Sequence, residues 1–202
     1  AWITITSGAG PNSSGNGASF DPVITPDGRW VAFASAASDL VIADANNFPD
    51  VFVRDLWAGI TTLASVGARK GNGSWPEFSG MPAITPDGRF VAFTSTGSNL
   101  VASAQKTYQE IYVRDLASAS TIWASTNLSA ASAPASYAPA LSDAGRFVTF
   151  KTVVGTAIHI FRRDVQNGSL DVISTNALGG SSFVPDVFGP AMTPDGLLEM
   201  NR

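Results

Sequence analysis

Few residues of this 202-residue chain are equipped for chemistry. Cysteine is absent, which removes thiolate nucleophiles, disulfides and cysteine-bound zinc or iron–sulfur clusters. The single histidine, His159, cannot build a multi-histidine metal site, and any Ser/His/Asp triad would have to use it. It stands in the apolar run 157–161, and no Gly-x-Ser-x-Gly elbow occurs, so a packed or edge histidine is expected rather than a base. Asp44, Asn46 and Asp50 place oxygen ligands in the alternating manner of a calcium loop. Phe48 and Pro49 occupy the places where such a loop needs a ligand and a glycine. A solvated loop is therefore expected there, with calcium the one candidate cofactor. Trp57, Trp75 and Trp123 lie near turns or strand ends, where aromatics can stack on sugars; packing between repeated units is the expected role. The glycosylation-like triplets at Asn12, Asn72, Asn127 and Asn167 follow from a composition rich in Asn and Ser.

Three Arg-Asp pairs look at first like a site: Arg54-Asp55, Arg114-Asp115 and Arg163-Asp164. They are copies of one another. TPDGRWVAF at 25–33 returns as TPDGRFVAF at 85–93 and SDAGRFVTF at 142–150, with a degraded TPDGLLEM at 193–200. Each full copy is followed by a second word, VFVRDL, IYVRDL or IFRRDV, and then a third, TTLASV, TIWAST or DVISTN. A proline precedes every turn glycine by six residues: Pro22, Pro82, Pro139 and Pro190. A single site on a repeat array draws different residues from different units, so residues recurring in every unit read as scaffold. Asp55 and its copies are expected to cap turns, and Arg54 and its copies to pair with a neighbouring carboxylate or carbonyl. The turn residues Asp27, Gly28 and Arg29, Asp87, Gly88 and Arg89, and Gly145 and Arg146 receive the same reading.

The words dictate their elements. Pro-Asp-Gly suits a tight turn, since Pro presets φ, Asp bonds the backbone ahead and Gly accepts positive φ. It joins a short first strand to a second, in which Trp30, Ala32 and Ala34 share one face and Val31 and Phe33 the other. Both faces are apolar, so the strand must be covered on both sides. The third strand ends at Asp55 and turns through Leu56-Trp57-Ala58-Gly59 into a fourth. No window shows a 3.6-residue apolar period, so essentially no helix is predicted. The third unit is eight residues shorter between its second and third strands, which marks that stretch as an exposed loop.

Four-stranded meanders with two apolar faces pack face to face, and radial packing gives the β-propeller. The words [ST]-PDGR-[WF]-VAF and [VI]-[FY]-VRDL resemble the WD40-like PD40 repeat of TolB-type propellers. The likeness spans nearly the whole chain, is sharpest in the first two units, and fades where SDAGR replaces TPDGR and Leu197 replaces the turn arginine. The fold class expected is all-β: a propeller of four-stranded antiparallel blades, three complete and a fourth in parts. The blade pieces are 1–10, 17–67, 78–127, 136–177 and 187–202. Trp2–Thr6 aligns with a fourth strand, giving fifteen strands and a closing blade without its third. A four-bladed ring with one thin blade, a piece of a larger propeller and a ring completed by further copies are the three outcomes, the last being preferred.

Composition narrows the function. Only 14% of residues are charged and the net charge is −4, against a phosphate-binding surface and so against nucleic acid. Apolar runs fall far short of the ~20 residues that span a bilayer. An acidic, cysteine-free, Ser- and Thr-rich β chain fits an extracytoplasmic protein, and the start at Ala1 implies a removed leader or a beginning inside a longer gene. The expectation is a non-enzymatic binding or scaffold module offering rim loops and a channel to a protein, peptide or glycan, and self-associating to complete a ring. Resemblance to TolB implies protein partners at the cell envelope. The alternative is the propeller domain of a prolyl-oligopeptidase-like hydrolase whose catalytic domain lies outside the chain.

Overall fold

The structure is a computed structural model that describes residues 14–42, 44–69, 77–102, 108–126, 128, 135–154, 157–174 and 190–196. Among these there are twelve strands and no helix. They form three four-stranded antiparallel sheets, each a simple meander. The first comprises β1 (Ser19–Ile24), β2 (Trp30–Ser35), β3 (Asp50–Asp55) and β4 (Ile60–Leu63). The second comprises β5 (Ser79–Ile84), β6 (Phe90–Ser95), β7 (Glu110–Asp115) and β8 (Ser120–Trp123). The third comprises β9 (Ser136–Leu141), β10 (Phe147–Val154), β11 (Ala157–Asp164) and β12 (Leu170–Val172). Trp2–Thr6, Trp75, Asn12, Asn72, Asn127 and the strand after Gly196 lie outside the described residues.

The first strand of each sheet begins earlier than the turn words suggest. It starts three residues before the proline and carries a register shift there, between Phe20 and Val23 in β1 and between Gly80 and Ala83 in β5. Asp21, Met81 and Ala138, each just before that proline, have φ near +50°. Proline cannot donate to the ladder, so the chain passes it with a bulge and then resumes pairing.

Blades pack as propeller blades do: β5 lies against β1 and β2 of the first blade, and β9 against β5 and β6 of the second. Ala32, Val51 and Val53 of the first blade meet Val91, Phe93 and Tyr112 of the second in one core. Ala92, Ile111 and Val113 of the second meet Val148, Phe150 and Phe161 of the third in the next. Inside each blade one aromatic pair spans the second and third strands, Phe33–Phe52, Phe93–Tyr112 and Phe150–Phe161, with centroids about 6 Å apart. Charged residues do stand buried in the strands: Asp50, Glu110 and Arg163, and one lysine. Lys151 sits buried in the middle of β10, its ammonium 6.0 Å from the Tyr137 ring centroid.

A second contact repeats between blades. The turn glycine of one blade lies on the aromatic that opens β2 or its copy in the blade before. A Cβ added to Gly88 would stand 2.5 Å from the Trp30 ring, one at Gly145 2.4 Å from Phe90, and one at Gly196 2.2 Å from Phe147. Only glycine permits that approach, and the positive φ of each turn favours it as well.

Candidate binding site

Each blade has a turn face, carrying the Pro-Asp-Gly turns and the β3–β4 turns, and a loop face, carrying the long β2–β3 loops. On the turn face the sequence-predicted residues knit the blade to itself. Asp27 accepts from the Thr25 hydroxyl at 2.6 Å and from the Arg29 backbone N–H at 3.0 Å. Arg29 donates from Nε and Nη2 to Asp55, the closer contact being 2.8 Å. Asp55 also accepts from the backbone N–H groups of Trp57 and Ala58. These bonds, the Arg29 pair foremost, hold its carboxyl down at about 2. Asp87, Arg89 and Asp115 copy the arrangement, and Arg146 with Asp164 makes the third instance. Gly28, Gly88 and Gly145 supply the positive φ.

The arginines of the second word depart from expectation. Arg54 and Arg114 donate to the hydroxyls of Thr61 and Thr121 at 3.0 Å, neither to a carboxylate nor to a carbonyl. Thr61 and Thr121 stand directly opposite them on the fourth strand, so the hydroxyl is the nearest acceptor. Arg163 does take carbonyls, those of Ala124, Thr126 and Gly168, and so ties the third blade to the second.

The loop face holds a motif that the words alone did not reveal. Asp50, Glu110 and His159 each begin the inner part of a third strand, and each pairs with a serine fifteen residues on: Ser65, Ser125 and Ser174. Each serine in turn accepts the next backbone N–H, from Val51, Ile111 or Ile160. His159 is thus the third copy of a position held elsewhere by a carboxylate. The signal was present, since all three residues immediately precede the second word, but residues of such different types conceal it.

Asp44, Asn46 and Asp50 do come together: the loop they share exposes Ala45 and Asn47 to solvent but buries both carboxylates. Asp50 is fully buried and Asp44 is 9% exposed, because the loop folds over β3 and the 63–69 segment. Asn46 donates to Asp50 at 2.6 Å and accepts from the Phe48 N–H, and Asp50 also takes the Ser65 hydroxyl. Burial pushes the Asp50 carboxyl up to about 6, and raises Asp44 too. Among the described residues no group of three or more His, Asp or Glu is placed to hold a metal. Asp44 Oδ1 has no hydrogen-bond partner.

Beside these residues lies a cavity of about 510 Å³ lined by Asp44, Asn46, Phe48, Leu63, Ser65 and Arg69 among others. It combines a buried carboxylate, neutral donors and acceptors, apolar walls and an exposed guanidinium. The Ser65 hydroxyl on its wall is committed to structure, donating to Asp50 and accepting the Val51 N–H. Trp123 is elsewhere, half-buried against the Glu110–Ser125 pair, and Trp57 stands exposed on the turn face under the Arg29 guanidinium.

No family model matches the chain, and no curated protein matches it. Solved structures do. TolB from Acinetobacter baumannii superposes with a TM-score of 0.54 and 21% identity, covering 91% of this chain and 37% of TolB. A structure from an analysis of two prolyl endopeptidases superposes at 0.50 with 14% identity, over 84% of this chain and 24% of that one. The chain thus spans well under half the length of either. The fold is that of a TolB-type β-propeller, and likeness at this level speaks for fold alone. Among the described residues no helix is long and apolar enough to cross a membrane.

Proposed function

We propose that this chain is a non-catalytic propeller module that binds a peptide or protein segment at the loop face of its first blade. One observation carries the reading: the cavity beside Asp44, with an unpartnered, buried carboxylate oxygen on one side and Arg69 on the other. A basic side chain entering there gives Asp44 the charge partner that the fold withholds, and Arg69 offers donors to backbone carbonyls. Phe48 and Leu63 supply apolar wall. A glycan would suit stacked exposed aromatics, whereas the cavity has Phe48 alone. The module works outside the cytoplasm in this reading, as the composition suggests. The TolB-like fold is compatible with protein partners, and the prolyl-endopeptidase likeness keeps a second reading, a propeller domain attached to a hydrolase, which sequence flanking the chain would decide.

The test is an array of immobilised hexapeptides, half carrying one Lys or Arg and half neutral. Basic peptides should be retained preferentially, and Asp44→Asn should weaken their retention about tenfold without lowering the melting midpoint. Equal retention of both halves, or none, overturns the reading.

A further inference from the structure

The loop-face cavity offers a cation one uncommitted carboxylate oxygen. The Asp44 carboxyl takes the Asn46 backbone N–H, and its Oδ1 has no partner although the residue is buried. Asp50, the other carboxylate of the loop, has both oxygens spent. One takes the Ser65 hydroxyl and the other the Asn46 side-chain amide at 2.6 Å. The remaining acceptors are neutral. Asn46 Oδ1 receives the Phe48 N–H, and Ser65 Oγ receives the Val51 N–H, so each oxygen keeps one lone pair. Asp44, Asn46 and Ser65 line the cavity together with the apolar Phe48, Leu63 and Ala68.

This set of acceptors separates the two basic side chains. A guanidinium holds five N–H donors in a rigid plane and is matched by both oxygens of a carboxylate. One free oxygen satisfies a single arm of it, and each donor left unmade in a buried place costs free energy. An ammonium is a compact point charge with three rotatable donors. Asp44 Oδ1 can take one of them with full charge, and the Asn46 and Ser65 oxygens are open to the others. The four-methylene stem of a lysine has Phe48, Leu63 and Ala68 for apolar cover. Arg69, exposed at the same cavity, opposes either cation alike.

We propose, resting on the peptide-binding reading, that the cavity is a lysine site: it takes the ε-ammonium of a peptide lysine in preference to an arginine guanidinium, and it rejects a lysine that is acetylated. Acetylation removes the charge that Asp44 would pair and leaves the stem longer than the site needs.

Fluorescence anisotropy with labelled hexapeptides tests the assignment. The peptides share one sequence, are N-acetylated, and carry Lys, Arg, acetyl-lysine or norleucine at one position, norleucine keeping the stem without the charge. The lysine peptide should bind about tenfold tighter than the arginine peptide, the scale of one unsatisfied donor. Acetyl-lysine and norleucine should bind more weakly than either. A norleucine peptide with a free N-terminus, which separates the ε-ammonium from an α-amine, should bind no better than its N-acetylated form. In Asp44→Asn the preference for lysine should vanish. Arginine or the free N-terminus matching lysine, with both above N-acetylated norleucine, overturns the lysine assignment and leaves the basic-peptide reading standing. Acetyl-lysine matching lysine, or no binding by any peptide, overturns both.

Discussion

At the scale of single residues, two aspartates one strand-length apart are tuned in opposite directions. Asp55 is held charged by Arg29 and turn N–H groups, with its pKa at about 2. Its stabilisation is complete above the unfolded value of 3.8 and is lost as pH falls toward 2. Asp50 is buried with its pKa raised to about 6, so the protonated form is favoured in the fold. Its stabilisation is complete below 3.8 and is lost as pH rises through 6. Asp50→Asn removes that titration. The stability difference between parent and variant should shift by on the order of 2 kcal/mol between pH 4 and 7, in favour of the variant at pH 7. Urea midpoints at both pH values measure it, and a pH-independent difference would contradict the burial argument. Asp55→Ala should lower the midpoint at pH 7 and lose its effect near pH 2. Calcium at millimolar concentration should leave melting unmoved, because Asn46 and Asp50 spend their oxygens on protein partners. A raised midpoint would instead place an ion beside Asp44.

At the scale of elements, the glycine-on-aromatic contact adds to the shared apolar cores in joining one meander to the next. Gly88→Ala must both strain φ and push a methyl into the Trp30 ring, and should cost about 3 kcal/mol. Gly28→Ala pays the strain alone, about 1 kcal/mol. Equal losses in denaturant titrations would show that the contact contributes nothing. Much of this level was legible in the chain. The Pro-Asp-Gly words located the turns, and the apolar faces of Trp30–Phe33 and its copies announced sheets covered on both sides. The bulge at Pro22 was not legible, because a proline inside a strand ordinarily argues for ending it. Nor was the acceptor of Arg54: its register opposite Thr61 is set by pairing of the third and fourth strands, which no local word encodes.

At the scale of the whole molecule, the low charge content has a structural cause. Strands buried on both faces leave most charged residues to the turns and strand ends; Lys151, the arginines Arg54, Arg114 and Arg163, and the serine-bonded Asp50 and Glu110 are exceptions that find partners or cover. Among the described residues, the Thr94 and Thr149 hydroxyls and Arg114 Nε are buried without a partner, and so is Asp44 Oδ1, the one beside the loop-face cavity. The site there was half legible. Asp44, Asn46 and Asp50 stood out as oxygen ligands, but their burial and the cavity beside them depend on Leu63–Arg69 folding back from the next strand. His159 reads as a lone histidine in sequence and as the third member of a repeated pair in three dimensions.

Display of a binding cavity on the first blade's loop face is tested most directly by nuclear magnetic resonance titration of isotope-labelled protein with the best basic hexapeptide from the array. Shifts confined to the amides of Asn46, Phe48, Ser65, Gly67 and Arg69, and lost in Asp44→Asn, are the result expected. Shifts centred on the Pro-Asp-Gly turns or on the third blade, or no shifts at saturating peptide, would contradict it.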